Sequence, residues 1–154
     1  MTWTPLDFGR YRGKTLPQVL FTDPDYFFWA LAEGALRDFL VEADDLRRKA
    51  THIRVRQIGP DGLAVEYIIQ PRDGRLADVT FVPKAQPLHD GGSRSVRMDV
   101  IDLSVPRRLA PYDKMGGGIV VAALKGHYFE DRHARVTRRR AERFFEDPGN
   151  FAVA

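Results

Sequence analysis

The stretch His52-Ile53-Arg54-Val55-Arg56-Gln57, followed by the turn Gly59-Pro60-Asp61-Gly62 and the run Leu63-Ala64-Val65-Glu66-Tyr67-Ile68-Ile69-Gln70, decides the fold class. Ile53, Val55 and Gln57 alternate with His52, Arg54 and Arg56, the period of a strand with one face in a core. A turn rich in Gly and Pro between two such runs predicts a β-hairpin. Pro71-Arg72-Asp73-Gly74 marks a second turn and Leu76 to Pro83, with Val79, Phe81 and Val82, a third strand. Lys84 to Arg94, containing Pro87 and Gly91-Gly92, reads as a loop, and the alternation from Val96 to Val105 predicts a fourth strand. Successive strands joined by short turns imply one antiparallel four-stranded sheet.

Helices flank this sheet on both sides in the sequence. Thr22-Asp23-Pro24-Asp25 has the marks of a helix start: Asp23 can cap, Pro24 suits the first turn, and Asp25 favours the positive end of the dipole. Tyr26, Phe27, Phe28, Trp29 and Leu31 follow, Gly34 ends or interrupts the helix, and Leu36, Phe39, Leu40 and Ala43 recur at helical spacing in a second run from Ala35 to Arg48. Pro106 to Pro111 reads as a connection. Gly116-Gly117-Gly118 then precedes the apolar run Ile119 to Leu124, and Glu130 to Glu146 is helical in composition. The expected architecture is α+β, a four-stranded antiparallel sheet flanked by N-terminal and C-terminal helices. Residues 6–50 form a basic and aromatic hairpin-helix module, and residues 51–154 an α+β domain able to pack with it as one unit.

Composition narrows the function classes. The 154 residues are 44% hydrophobic and 11% aromatic, with ten Phe, as in a packed globule rather than a disordered chain. Zero Cys excludes disulfides, thiolate zinc sites and cysteine nucleophiles, and fits the reducing cytoplasm, the expected location. The N-terminus has no basic segment followed by an apolar run, and no stretch approaches the roughly 18 apolar residues of a membrane helix, so neither secretion nor membrane association is expected. The net charge of +3 is unevenly placed: Arg107 to Ala154 holds ten basic and six acidic residues.

The densest functional signal is Phe8-Gly9-Arg10-Tyr11-Arg12-Gly13-Lys14-Thr15-Leu16, followed by Asp23-Pro24-Asp25-Tyr26 and Trp29. Two glycines allow a tight backbone path, three cations can approach phosphates, and the aromatics offer faces for base stacking. The pattern resembles the small C-terminal module of exodeoxyribonuclease X-like proteins and its stand-alone phage and bacterial relatives. That family reads Phe-Gly-basic-Tyr-basic-Gly-Lys-Thr, then Asp-Pro-x-Tyr and a Trp three residues later. Phe8, Gly9, Arg10, Tyr11, Arg12, Gly13, Lys14, Thr15, Asp23, Pro24, Tyr26 and Trp29 fill those places, and the resemblance spans about residues 6–33. It implies a compact hairpin plus helix that helps nuclease or recombination proteins hold DNA, without catalysis by the module itself. Aromatics at helical spacing are usually packed, so Phe8 and Trp29 are expected in the core.

A second basic feature lies near the C-terminus. Arg132, Arg135, Arg139 and Arg143, spaced by three, four and four, would form one stripe on a helix, widened by Arg138 and Arg140, with Ala134, Ala141 and Phe145 on another face. The competing expectation is an ordinary solvated face paired with Asp131, Glu142 and Glu146. Gly116-Gly117-Gly118 lacks the spacing of a phosphate loop and is read as a connector or a site of close helix packing. Asp99 and Asp102, with Asp78 and Glu66, are the carboxylates to weigh for metal-dependent nuclease chemistry, but residues three apart on a strand point to opposite faces. The histidines at 52, 89, 127 and 133 have no ligand spacing. No catalytic residue, metal site or cofactor is assigned.

The preferred reading is a non-enzymatic nucleic-acid-binding accessory protein of phage or bacterial DNA metabolism, with DNA ahead of RNA as partner. Its contact residues are Arg10, Tyr11, Arg12, Lys14, Arg132, Arg135, Arg138, Arg139 and Arg143. The alternative is a protein-interaction or assembly protein, with a protein partner or a second copy of the chain and incidental basic surface. A metal-dependent nuclease stands third.

Overall fold

The computed structural model of the chain describes residues 2–88 and 94–152. Two short helices, α1 (Leu16–Thr22) and α2 (Pro24–Ala32), meet at Asp23, which closes the first and caps the second. Gly34, at φ +76°, stops the run, and a 3-10 turn at Arg37–Phe39 leads into α3 (Leu40–Ala50). The strands are β1 (Ile53–Arg54), β2 (Leu63–Ile69), β3 (Leu76–Pro83), β4 (Arg94–Met98) and β5 (Val100–Ile101). Helices α4 (Val105–Leu109), α5 (Lys114–Phe129) and α6 (Arg138–Glu146) complete the chain, with a 3-10 turn at Pro148–Asn150.

The architecture is α+β with antiparallel pairing, but the expected single four-stranded sheet is two sheets. One is three-stranded in the order β3-β2-β4, and the other pairs β1 with β5. The reason lies in where the backbone groups around Gln57 go. The Gln57 amide donates to the carbonyls of Val55 (3.0 Å) and Leu63 (3.1 Å), and its oxygen accepts the Leu63 N–H at 2.8 Å. One side chain thus supplies the partners that a β1-β2 ladder would have offered, a local bond competing with secondary structure. The Arg56 N–H goes to His127 Nε2 at 2.7 Å, and both edges of β2 are already taken by β3 and β4.

The fourth strand, expected from Val96 to Val105, also breaks. β4 ends at Met98, β5 covers two residues, and Val105 opens α4 where a connection was expected. Asp99 is exposed beside Lys84, whereas Asp102 is buried and accepts the Ser104 N–H (2.8 Å), the Ser104 hydroxyl (2.6 Å) and Arg108. The Tyr67 hydroxyl donates to the Val100 carbonyl (3.1 Å) and accepts the Asp102 N–H (2.8 Å), tying β2 to the second sheet. Gly91-Gly92 of the Lys84–Arg94 loop, and His89, lie outside the described residues.

One hydrophobic core runs through both halves of the chain, with no break at residue 50. α1 lies against α6, where Phe21 meets Phe144 edge-on at 5.3 Å and Phe145 at 5.8 Å, and the Trp3 indole N–H donates to Glu146 at 2.7 Å. α2 lies against α5. Gly116-Gly117-Gly118 forms the first turns of α5 rather than a segment before it, and the Asp113 carboxylate caps it through the Gly116 N–H at 2.9 Å. A Cβ on Gly117 would sit 3.2 Å from the Pro24 ring, so the glycine allows α2 and α5 to pack closely there.

Gly118, one residue on, is exposed, with nothing within 4 Å of a Cβ. Overpacking makes Gly117→Val cost about 1–3 kcal/mol, while Gly118→Ala gains about 0.5–1 kcal/mol from helix propensity. Urea unfolding of the two variants checks this; equal effects would contradict the α2-α5 contact.

Candidate functional site

The loop before α1 is closed by two backbone bonds, Leu6 N–H to the Lys14 carbonyl (2.9 Å) and Gly13 N–H to the Leu6 carbonyl (2.8 Å). Gly9 takes φ +74°, and a Cβ there would lie 2.6 Å from the Tyr26 hydroxyl. Only glycine lets the loop fold this close to α2. Phe8 is half-buried against the core, at 6.2 Å from Phe39.

Asp23 organises what surrounds the loop. It is fully buried, and Oδ1 accepts the Tyr26 N–H at 3.3 Å as the helix cap the sequence predicts. Oδ2 accepts the Tyr11 hydroxyl at 2.7 Å and the Tyr112 hydroxyl as well. Arg10 donates to the Tyr112 hydroxyl at 2.9 Å and stands 3.8 Å from Asp23. Its guanidinium lies 5.9 Å from the Tyr26 ring centre and 5.7 Å from that of Tyr112, within cation–π range. Burial first, then the bond to Asp23, pushes the Tyr11 phenol up to about 12, and the same two causes raise Tyr112. Asp25, also fully buried, accepts the Asp113 N–H at 2.6 Å and faces Arg107 at 3.5 Å, and burial pushes its carboxyl up.

Arg10, Tyr26, Trp29 and Tyr112 line an open cleft of about 390 Å³. Trp29 is 40% exposed, so the expected core role is corrected: α2 buries Pro24 to Phe28 and Ala30, and leaves the indole at the rim. α2 is apolar almost all round, and periodicity alone does not show which aromatic faces outward. Tyr11 acts as a loop-to-core strut, whereas Arg12 and Lys14 are exposed with no carboxylate in ion-pair range among the described residues.

The expected C-terminal stripe is corrected too. α5 ends at Phe129, Glu130 takes a left-handed φ of 59°, and α6 begins only at Arg138, with Thr137 accepting the Arg140 N–H at 3.2 Å. Arg132 and Arg135 therefore lie in a loop. Arg132 covers Gly126 and reaches Asp78 at 3.9 Å, beside a separate cleft lined by Phe81 and His127. Arg138, Arg139 and Arg143 are exposed on α6, and Arg140 stacks over Phe129 at 3.8 Å. Thr15, which follows Lys14, donates to Glu142 of α6 at 2.9 Å, and Arg138 binds the same carboxylate at 2.9 Å. The basic loop and the basic helix therefore adjoin.

Of the acids expected to neutralise that helix, Glu142 pairs with Arg138 and the other two are engaged elsewhere. Glu146 accepts the Trp3 indole and Asp131 the His133 N–H at 2.9 Å, so that Arg135, Arg139 and Arg143 have no ion-pair partner among the described residues. Asp99 and Asp102 do not converge, Glu66 binds Arg97 at 2.9 Å, and no group of three metal-binding side chains gathers among the described residues. His127 stacks on Phe81 at 4.3 Å, and its pKa is lowered by burial and then by Arg56, consistent with a neutral ring accepting the Arg56 N–H. Among the described residues no helix is long and apolar enough to cross a membrane. Comparison with protein-family models, curated proteins and solved structures finds no match to this chain.

Titration of the phenols by ultraviolet absorbance tests the hub. The difference between the parent and Tyr11→Phe isolates Tyr11, which is expected to ionise near pH 12 instead of its ordinary 10, and Asp23→Asn is expected to lower it. Because the folded value is raised, this contribution to stability is whole below pH 10 and is lost as pH rises toward 12. A Tyr11 midpoint at the ordinary value in the parent would contradict the bond to Asp23.

Proposed function

We propose that this chain is a nucleic-acid-binding accessory protein, with DNA as its expected partner. It takes phosphates on Arg12 and Lys14 of the loop and on Arg139 and Arg143 of α6. The observation that carries the reading is the joining of two cationic segments through Thr15 and Glu142, where most cations lack carboxylate partners among the described residues. Unpaired cations on adjoining segments are the footprint of phosphate binding, and arginine suits bidentate contact. The resemblance of residues 6–33 to the exodeoxyribonuclease X-like module favours DNA and an accessory place in phage or bacterial DNA metabolism. Arg10 is half-committed to Tyr112 and Asp23, Arg132 to Asp78 and Arg138 to Glu142, so none of the three is a principal phosphate contact in this reading.

Salt dependence of binding tests it. Arg12→Ala with Lys14→Ala, and separately Arg139→Ala with Arg143→Ala, should each weaken binding across unrelated sequences. Each lost contact should flatten the slope of log affinity on log salt by about 0.9 on duplex or 0.7 on single strands. All four side chains are exposed, so folding should survive. Unchanged slopes in fluorescence-anisotropy titrations of both folded variants would remove these residues from the contact surface.

A further inference from the structure

The cleft beside the basic loop is built differently from a surface that only meets phosphates. Its walls are the Trp29 indole, the Tyr26 and Tyr112 rings and the Arg10 guanidinium. Tyr26 and Trp29 stand 5.7 Å apart with their planes tilted at 44°, a wedge in which Trp29 is 40% exposed and Tyr26 only 8%. Neither the Trp29 indole N–H nor the Tyr26 hydroxyl has a hydrogen-bond partner among the described residues. Arg10 donates one N–H to Tyr112 and retains others, while the Tyr11 and Tyr112 hydroxyl protons are committed to Asp23. The cleft thus offers an exposed indole face and spare N–H donors, with cations on the adjoining turn.

A flat, acceptor-rich ring attached to a phosphate meets all three features. A nucleobase in a duplex has its faces covered by its neighbours and cannot enter such a wedge, whereas an unpaired base can. At about 390 Å³ the cleft falls at the small end of the roughly 300–1,000 Å³ range of ligand sites, the scale of a single nucleotide rather than a docked protein segment. Arg10 is held by Tyr112 and Asp23 before any ligand arrives, so little ordering is required on binding.

We propose that this cleft receives one unstacked base of a single-stranded nucleic acid, stacked on Trp29 beside Arg10, while Arg12 and Lys14 hold the flanking phosphates. The proposal rests on the nucleic-acid reading above and adds to it a preference for single strands and a base-binding role for Trp29. Trp29 has its own optical signature. The chain has two tryptophans, and Trp3 is only 2% exposed, so quenching by a stacked base must come from Trp29.

The experiment titrates the full chain with a short labelled oligothymidylate, the matching oligouridylate and a hairpin duplex of equal length, following anisotropy and tryptophan fluorescence. Trp29→Ala is expected to weaken single-strand binding about five- to hundred-fold and to leave duplex binding unchanged, with Trp29→Phe close to the parent in affinity but without quenching. Urea unfolding of each variant confirms that it is folded. Single-strand binding that is indifferent to Trp29→Ala, without quenching in the parent, would overturn the base cleft and leave the phosphate surface standing. Duplex binding tighter than both single strands would do the same. No binding of any probe by the parent would overturn the nucleic-acid reading and the cleft with it.

Discussion

The Asp23 carboxylate is the constraint on which the site depends. A fully buried charge is costly unless hydrogen-bonded, and this one is met by the Tyr26 N–H, the Tyr11 and Tyr112 hydroxyls and the nearby Arg10. These partners come from α2 itself, from the loop before α1 and from the turn leading into α5. The same acid therefore caps a helix, pins the loop and fixes Tyr112 as a wall of the cleft. Asp25, two residues on, repeats the pattern by accepting the Asp113 N–H, and Asp113 in turn caps α5. A short acidic corner between two helices thus joins three parts of the chain.

This corner also separates the roles of the basic residues. Arg10 turns inward to the tyrosines, whereas Arg12 and Lys14 stay outside it, exposed. On the C-terminal side Glu146 is bound by Trp3, Glu142 by Thr15 and Arg138, and Asp131 by the His133 backbone, leaving Arg139 and Arg143 unpaired among the described residues. The cationic surface results from where the carboxylates are committed as much as from the number of arginines. A net charge of only +3 is compatible with such a local field, because affinity for phosphates is set by local rather than total charge.

Much of the fold was legible where the signals are local. The Asp23-Pro24 helix start, the stop at Gly34 and the antiparallel pairing of β2 with β3 all follow from caps, glycine conformation and period-two patterning. What failed depends on long-range competition. The β1-β2 hairpin was lost because Gln57 and His127 take the backbone groups it needed, and no local pattern records that His127 lies beside Arg56. The C-terminal stripe failed because Glu130 ends α5 in a left-handed conformation, which composition does not reveal in a non-glycine residue. In the site, Arg12 and Lys14 stood out by charge, whereas Trp29 was expected in the core, because a helix apolar almost all round does not show which aromatic faces outward. Tyr112 had no signal: it lies 89 residues from Asp23, and only the folded chain brings them together.

Backbone amide and indole NMR spectra recorded while an unstructured oligonucleotide is added test the central claim most directly, because they show where the partner sits. The account predicts shifts confined to the amides of residues 9–15, the Trp29 indole and the first turns of α6, with the buried Trp3 indole unmoved. Shifts centred on the sheet or on the cleft beside Phe81 and His127, or an unchanged spectrum at saturating oligonucleotide, would contradict it.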